Sequence, residues 1–338
     1  MKNHTLVLGL GIASSAYVSL LDYNKVKTSV VGSIFDYLKV NSIKKNKKDK
    51  LLNLSYSKRI NFFQENEISK IDKNSINFII IGTNTHGINW TIKILNELKV
   101  DCPVLLITKG IILFKNKLIP LSDYYALKCF NSKIIMSAGP CLAKELINFS
   151  HTRTLFASKK ISFALHAKKI LENDFYHPEI ALDIKGAEIC AAIKNIYAII
   201  IGSSNGQTGH VAKKKNNYFN SSSGLFEQSL KEMKLIVKKF GGEITTVSGL
   251  AGAGDLFVSI LGGRNAKLGF FLGKGLLYNS IINKQMRGVT VEGADLVKTS
   301  GTKILHLVGQ KKLPLLKSLL KAINGNLKLK IDWKQFTF

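Results

Sequence analysis

The sequence has few cysteines and few acidic residues, and it lacks any long uninterrupted apolar run. The four cysteines are widely spaced and form no C-x-x-C pair: Cys102, Cys129, Cys141 and Cys190. In a chain of 338 residues, such spacing favours reduced thiols in a cytosolic protein over a disulfide framework. No zinc-ligand spacing occurs, and no apolar segment is long enough to span a bilayer. We therefore expect a cytoplasmic protein without a metal site and without membrane insertion.

Acidic side chains are scarce relative to basic ones, because 22 Asp and Glu stand against 49 Lys and Arg, a formal net charge of +27. Such an excess makes nucleic-acid binding a rival function. The lysines are spread along the chain, however, with dense runs only at 44–50 and 213–215, and no RNA-binding motif with interleaved aromatic residues occurs. We interpret the charge as solvated lysine and expect no specific nucleic-acid partner. A hydrophobic content of 46% is enough to fill a core.

The amino-terminal segment joins a short basic start to an apolar stretch, as a signal peptide also does. Gly9 and Gly11 interrupt this stretch, and a second strand-like run, TSVV at 28–31, follows at a βαβ distance. We therefore interpret the segment as part of the fold.

Short β-rich runs alternate with helical stretches in the first half of the chain. The predicted strands are 6–9, 28–31, 77–81, 104–108, 133–136 and 154–157, and the predicted helices are 12–22, 88–98 and 141–148. Apolar runs without polar alternation, separated by helices, indicate a parallel sheet buried on both faces. From residue 186 onward, apolar residues recur at helical spacing and little resembles a strand. We predict an α/β fold with a doubly wound parallel sheet over 1–185 and an all-helical domain over 186–338.

The first predicted strand ends in GLGIAS, residues 9–14, which approximates the dinucleotide-binding pattern G-x-G-x-x-G. Gly9 and Gly11 match the pattern, and Ser14 stands in place of its third glycine. The second strand ends in VVGS, with Ser33 where an acidic residue would bind the ribose of NAD, and no arginine replaces it. A plain tight βα turn is the alternative interpretation. The pattern predicts a Rossmann-type domain that binds NAD or NADP, without choosing between them.

Residues 249–265, GLAGAGDLFVSILGGRN, contain five glycines beside Asp255 and Arg264. Glycine has the most backbone freedom to lose on folding, so such a run indicates tight turns or close approach to the backbone. A purely structural loop would explain the glycines but not the isolated aspartate and the Arg-Asn pair. The stretch therefore predicts an anion-binding site.

Five blocks of the sequence resemble, in order and spacing, the NAD(P)-dependent sn-glycerol-3-phosphate dehydrogenase family. They are LLITKG (105–110), SAGPCLAKEL (137–146), GAEICAAIKNIYA (186–198), GLAGAGDLFVSILGGRNAKLG (249–269) and GVTVEGADL (288–296). The resemblance implies hydride transfer between dihydroxyacetone phosphate and sn-glycerol 3-phosphate, a homodimer, and a role in supplying glycerol 3-phosphate for phospholipid synthesis. A related Rossmann hydroxy-acid dehydrogenase is an alternative, and so is a decayed relative that binds a cofactor or nucleic acid.

The resemblance also implies roles for particular residues. The expected catalytic residues are Lys194, which transfers the proton, Lys109 and Asp255. The expected substrate contacts are these three residues together with Gly139, Cys141, Ser259, Arg264 and Asn265. The expected cofactor contacts are Gly9, Gly11, Ile12, Ala13, Lys109, Ala143, Arg264 and Glu292.

Lys194 has a plain structural alternative that the sequence leaves open. Its neighbours in AAIKNI are mostly apolar, and ammonium groups are rarely buried in such surroundings unless they are paired. The alternative is a lysine whose charged end reaches solvent from a half-exposed helix. These two interpretations predict different burial for the side chain.

Overall fold

Residues 3–130, 133–207 and 219–336 are described by the structure, which is a computed structural model. The lysine run at 213–215 lies outside these ranges. The chain divides into two compact units, the first formed by Met1–Gly110 and Pro120–Glu188, and the second by Ile111–Ile119 and Ile189–Phe338. Within the described ranges, no helix combines the length and the apolar character needed to cross a membrane.

The strands fall in the first part of the described sequence. They are β1 His4–Leu8, β2 Lys27–Val31, β3 Lys48–Asp49, β4 Leu54–Ser55, β5 Ile60–Phe63, β6 Phe78–Ile81, β7 Val104–Leu106, β8 Ile111–Phe114, β9 Lys117–Pro120, β10 Ile134–Ala138, β11 Thr152–Ser158 and β12 Tyr176–Ala181. The helices up to residue 204 are α1 Ile12–Tyr23, α2 Tyr37–Asn46, α3 Ile88–Leu98, α4 Leu121–Lys128, α5 Ala143–Ile147, α6 Ile161–Leu171 and α7 Ile184–Ser204.

One sheet organises the first unit, and in the described residues its strand order is β12-β11-β10-β7-β6-β1-β2-β5. The strands from β5 to β10 in this order pair in parallel, which confirms the predicted doubly wound sheet. Every residue of β6 and β7 is buried, as expected of central strands covered on both faces. In contrast, β11 pairs antiparallel with β10. An apolar run buried on both faces has the same composition in either direction, so the sequence did not indicate this reversal.

The second unit is largely helical, as predicted. After residue 218 its described helices are α8 Phe219–Lys239, α9 Ile244–Ser248, α10 Asp255–Leu261, α11 Arg264–Gly273, α12 Tyr278–Asn283, α13 Glu292–Leu296, α14 Thr302–Val308 and α15 Pro314–Asn324. Two π-helical turns, Leu250–Gly254 and Val297–Gly301, lead into α10 and α14. The unit also takes in residues 111–119, which carry β8 and most of β9.

Helices α7 and α11 approach each other through glycine. A Cβ atom placed on Gly269 would lie 2.0 Å from the carbonyl oxygen of Ile199, and one on Gly202 would lie 2.5 Å from that of Ala266. Real carbon–oxygen contacts are not this short, so any side chain at these positions would push the helices apart. The glycines therefore fix the spacing of the two helices.

We predict that Gly269→Ala destabilises the protein, because the added methyl group must displace the α7 backbone. The expected loss in the free energy of unfolding is about 1–3 kcal/mol, measured by chemical denaturation. Gly262→Ala is the matched control, since Gly262 faces open space with a φ of 179°, and its effect should stay within about 0.5 kcal/mol. Equal stability of the two variants would contradict the close packing.

A buried carboxyl group holds three helices of the second unit together. Glu232 on α8 accepts hydrogen bonds from the backbone amides of Leu315 and Leu316 at 2.6 and 3.1 Å, where α15 begins. It also accepts one from the hydroxyl group of Tyr197 on α7, at 3.1 Å. Burial raises the pKa of Glu232 to about 7, although the hydrogen bonds from the amides and the tyrosine oppose this rise.

This raised pKa predicts how stability depends on pH. Between pH 4.5 and about 7 the folded state binds more protons at Glu232 than the unfolded state does, so the free energy of unfolding falls as the pH rises. In Glu232→Gln this contribution should vanish. The fall in the free energy of unfolding between pH 4.5 and about 7 should then be smaller than in the wild type by on the order of 3 kcal/mol. Chemical denaturation at a series of pH values measures how the free energy of unfolding depends on pH in the wild type and in the variant. An identical dependence in both proteins would contradict the raised pKa of Glu232.

Candidate active site

The glycine-rich turn after β1 is the candidate cofactor-binding segment of the first unit. Gly9 has a φ of 92°, which favours glycine, and its amide donates to the carbonyl oxygen of Val31 at 2.8 Å. Gly11, Ile12 and Ala13 are exposed where α1 begins. The first turn of α1 has no acidic residue and no side-chain cap. The amide groups of such a turn attract anions, so these residues fit the pyrophosphate of a dinucleotide.

Ser14, which replaces the third glycine of the pattern, is accommodated by a glycine that directly follows β6. Its side chain is buried, and its hydroxyl group donates to the carbonyl oxygen of Gly82 at 2.8 Å. A Cβ atom on Gly82 would lie 2.1 Å from the oxygen of Ser14. The serine therefore fits because the chain has glycine at the end of β6, and α1 can still pack closely on the sheet.

The other expected residues of the first unit follow the carboxyl ends of neighbouring strands. Lys109 comes after β7 and is half-buried, while Gly139 comes after β10 with a φ of 96°. Cys141 and Ala143 pack against the main apolar core, and α5, which begins at Ala143, contacts α1. Because β1, β7 and β10 run in parallel, their carboxyl ends lie at one edge of the sheet, where open α/β sheets bind ligands.

In the second unit, Lys194 forms a small polar cluster with Asp255 and Ser259, and mostly apolar residues surround it in α7. Lys194 is 8% exposed and Asp255 is 2% exposed. The ammonium group forms an ion pair with the carboxylate of Asp255 and donates to the hydroxyl oxygen of Ser259 at 3.0 Å. That hydroxyl group donates in turn to the backbone carbonyl of Asp255 at 2.7 Å. The burial of Lys194 rules out the interpretation of a lysine that reaches solvent from a half-exposed helix.

A second hydrogen-bonded group surrounds the residue that follows Lys194. The amide of Asn195 donates to the carboxylate of Glu292 at 3.1 Å, and its oxygen accepts from Asn265 at 2.9 Å. Asn265 also accepts from the backbone amide of Gly293 at 3.0 Å. Arg264 donates to the other oxygen of Glu292 at 3.3 Å and remains more than half exposed. These bonds join α7, α11 and α13 and place the guanidinium group at the surface.

The glycines of residues 249–265 serve two different purposes. A Cβ atom on Gly252 would lie 2.1 Å from the carbonyl oxygen of Val247, so this glycine permits close packing within the unit. Gly262 and Gly263 face open space, and Gly263 has a φ of 104°. They end α10 and lead directly into α11, which begins at Arg264. The open backbone beside an exposed arginine agrees with the predicted anion site.

Two candidate residues, one in each unit, were missed by the sequence analysis. Asn195 is hydrogen-bonded at the centre of the second group, and its position directly after Lys194 was the available signal. Asp36 reaches back to the glycine-rich turn, where its carboxylate accepts from the backbone amide of Leu10 at 3.3 Å. The dinucleotide-binding pattern expects an acidic residue at the end of the second strand, where this sequence has Ser33. Asp36 lies three residues later, so the pattern does not identify it.

Comparisons with known proteins agree with this geometry. The family described as the C-terminus of NAD-dependent glycerol-3-phosphate dehydrogenase matches residues 183–332. The chain is 30% identical over 292 residues to the NADP(+)-dependent glycerol-3-phosphate dehydrogenase of Archaeoglobus fulgidus, a match that covers 85% of each protein. The solved glycerol-3-phosphate dehydrogenase of Coxiella burnetii superimposes with a TM-score of 0.78 at 23% identity, covering 97% of this chain and 96% of that one. The enzyme of Plasmodium falciparum gives a TM-score of 0.85 at 18% identity, covering 99% and 95%, so the fold is shared.

Proposed function

This chain belongs to the NAD(P)-dependent glycerol-3-phosphate dehydrogenase family, and we propose that it interconverts dihydroxyacetone phosphate and sn-glycerol 3-phosphate. Bound NAD or NADP supplies the nicotinamide that exchanges a hydride with C2 of the substrate. The backbone amides of Gly11, Ile12 and Ala13, three exposed residues where α1 begins, would hold the pyrophosphate of the cofactor. The chain's own chemical task is then to bind the phosphate ester and to move the proton of the C2 hydroxyl group.

The buried Lys194 is the observation that carries this proposal. In alcohol oxidation its amino group takes the proton from the C2 hydroxyl, and in ketone reduction its ammonium group returns that proton. The contacts with Asp255 and Ser259 use two donor directions of the ammonium group and so fix where Nζ lies. Lys109 stabilises the negative charge that develops on the C2 oxygen.

Arg264 is assigned to the phosphate group of the substrate. Its planar guanidinium fork suits bidentate contact with phosphate oxygens, and Glu292 already orients it from one side. Asn265, next in the chain, adds an amide donor, and the open backbone of Gly262 and Gly263 lets a ligand approach. Family membership further supports contacts from Gly139 and Cys141 to the substrate, and from Ala143, Arg264 and Glu292 to the cofactor.

Family membership supports three broader parts of the proposal as well. The enzyme works in the cytoplasm, it forms a homodimer, and its product supplies the glycerol phosphate backbone of membrane lipids. The expectation of no specific nucleic-acid partner belongs to the same proposal, because the basic residues are spread along the chain.

We predict that Lys194→Met lowers kcat for dihydroxyacetone phosphate reduction by about 100- to 10,000-fold, because the proton donor is lost. The rate is followed by the absorbance of NADH or NADPH. Methionine keeps the length of the apolar stem, and Lys267→Met, at an exposed position of α11, is the matched control with unchanged kcat.

Removal of Lys194 alone leaves the buried carboxylate of Asp255 without its cation, which destabilises a folded protein. The double variant Lys194→Met/Asp255→Asn removes both charges and keeps the pair neutral. It should fold, as judged by circular dichroism, and remain as inactive as the single variant. Near-normal turnover in either folded variant would exclude Lys194 from proton transfer.

We predict that Arg264→Ala raises KM for dihydroxyacetone phosphate by about 10- to 100-fold, since a charge-assisted contact with phosphate is lost. Arg287→Ala, at another exposed arginine of the same unit, changes the net charge equally and should leave KM unaffected. Steady-state kinetics at saturating cofactor compares the two variants. A KM for Arg264→Ala equal to that of the wild type would contradict the phosphate assignment.

A further inference from the structure

Asp36 occupies an unusual position beside the glycine-rich turn. One of its carboxylate oxygens, Oδ2, accepts from the backbone amide of Ser33 at 2.9 Å, from the Ser33 hydroxyl at 2.8 Å and from the backbone amide of Leu10 at 3.3 Å. These bonds bring a negative charge from a later turn to the junction of β2 and the loop after β1. All three of these bonds go to Oδ2, and Asp36 is only partly buried, so part of the residue remains accessible to a ligand.

The cation of Lys39, whose ammonium group contacts this turn, is already engaged by the protein. The ammonium group of Lys39 donates to the carbonyl oxygen of Leu10 and to the hydroxyl oxygen of Ser15, both at 3.0 Å. It also forms an ion pair with the buried carboxylate of Asp49 at 2.8 Å. An ammonium group has three donors, and these three acceptors use them. The charge of Lys39 is therefore balanced first by the carboxylate of Asp49.

The position of Asp36 matches the place where a Rossmann fold holds the adenosine ribose, between the glycine-rich turn and the end of the second strand. The ribose of NAD carries a 2′-hydroxyl group, which can donate a hydrogen bond to a carboxylate. In NADP that hydroxyl is replaced by a phosphate, which has no such donor at neutral pH and repels a carboxylate. A negative charge fixed at this position therefore favours the binding of NAD over the binding of NADP.

We propose that Asp36 binds the adenosine ribose of NAD(H) and makes this chain select NAD(H) over NADP(H). The inference rests on the proposed function in one respect, namely that the chain binds a nicotinamide dinucleotide. It also separates the chain from the Archaeoglobus fulgidus relative, which is named for NADP(+).

The test is a binding titration of NADH and of NADPH to the full chain without substrate, followed by calorimetry. The wild type should bind NADH at least about tenfold more tightly than NADPH, because like charges at close range are strongly unfavourable. Asp36→Asn keeps the oxygen that accepts from Leu10 and Ser33 but removes the charge. It should tighten NADPH binding and lower the NADH preference by about tenfold.

Asp72→Asn is the matched control, since Asp72 is exposed, lies before β6 at the opposite end of the strands and changes the net charge equally. Its cofactor preference should equal that of the wild type. Should Asp36→Asn fail to fold, Asp36→Ser provides a second uncharged variant with an acceptor oxygen. Equal or tighter binding of NADPH by the wild type, or an unchanged preference in the folded variant, would overturn the assignment.

Because binding is measured without dihydroxyacetone phosphate, the two proposals fail separately. Selective NADH binding without turnover would overturn the proposed reaction and leave the role of Asp36 supported. Turnover with a preference for NADPH would support the proposed reaction and overturn the role of Asp36.

Discussion

The buried ion pair between Lys194 and Asp255 is the interaction on which the rest of the candidate site depends. Each buried charge is stabilised by the other, because the cost of removing one ion from water is several kcal/mol. Pairs of this kind contribute little net stability compared with apolar residues of the same volume. An ion pair of this kind within a largely apolar helix therefore suggests a role in chemistry, and proton transfer by Lys194 is the role that we propose.

Glycine contacts place this pair relative to the residues assigned to phosphate. Gly202 and Gly269 let α7 and α11 touch backbone to backbone. As a result, Asn195 on α7 reaches Asn265 on α11, and both are tied to the segment that begins α13. The spacing of the three helices thus depends on glycines, which have no side chain, as much as on the polar groups that form hydrogen bonds between the helices.

The sequence predicted the central strands because continuous apolar runs are a local signal. It singled out Lys194 as a charged residue in an apolar helix, but it left the burial of that side chain open, and the catalytic role came from the family resemblance. It did not predict β5 and β12, which are partly exposed edge strands with weaker patterns. The contact of Ser14 with Gly82 joins residues far apart in the chain, so the serine was interpreted as a departure and not as half of a matched pair. Asp36 was missed for the same reason, since its meaning depends on a contact with Leu10.

Reduction of a small phosphate ester by this protein is tested most directly by comparing two ketones as substrates of the wild type. The absorbance of NADH and of NADPH is followed with dihydroxyacetone phosphate and, separately, with dihydroxyacetone. We predict oxidation of the reduced cofactor with the phosphate ester. Without the phosphate group, kcat/KM should be at least about 100-fold lower, since charge-assisted contacts are lost. Folded protein that oxidises neither cofactor with dihydroxyacetone phosphate, or that uses both ketones equally, would contradict this prediction.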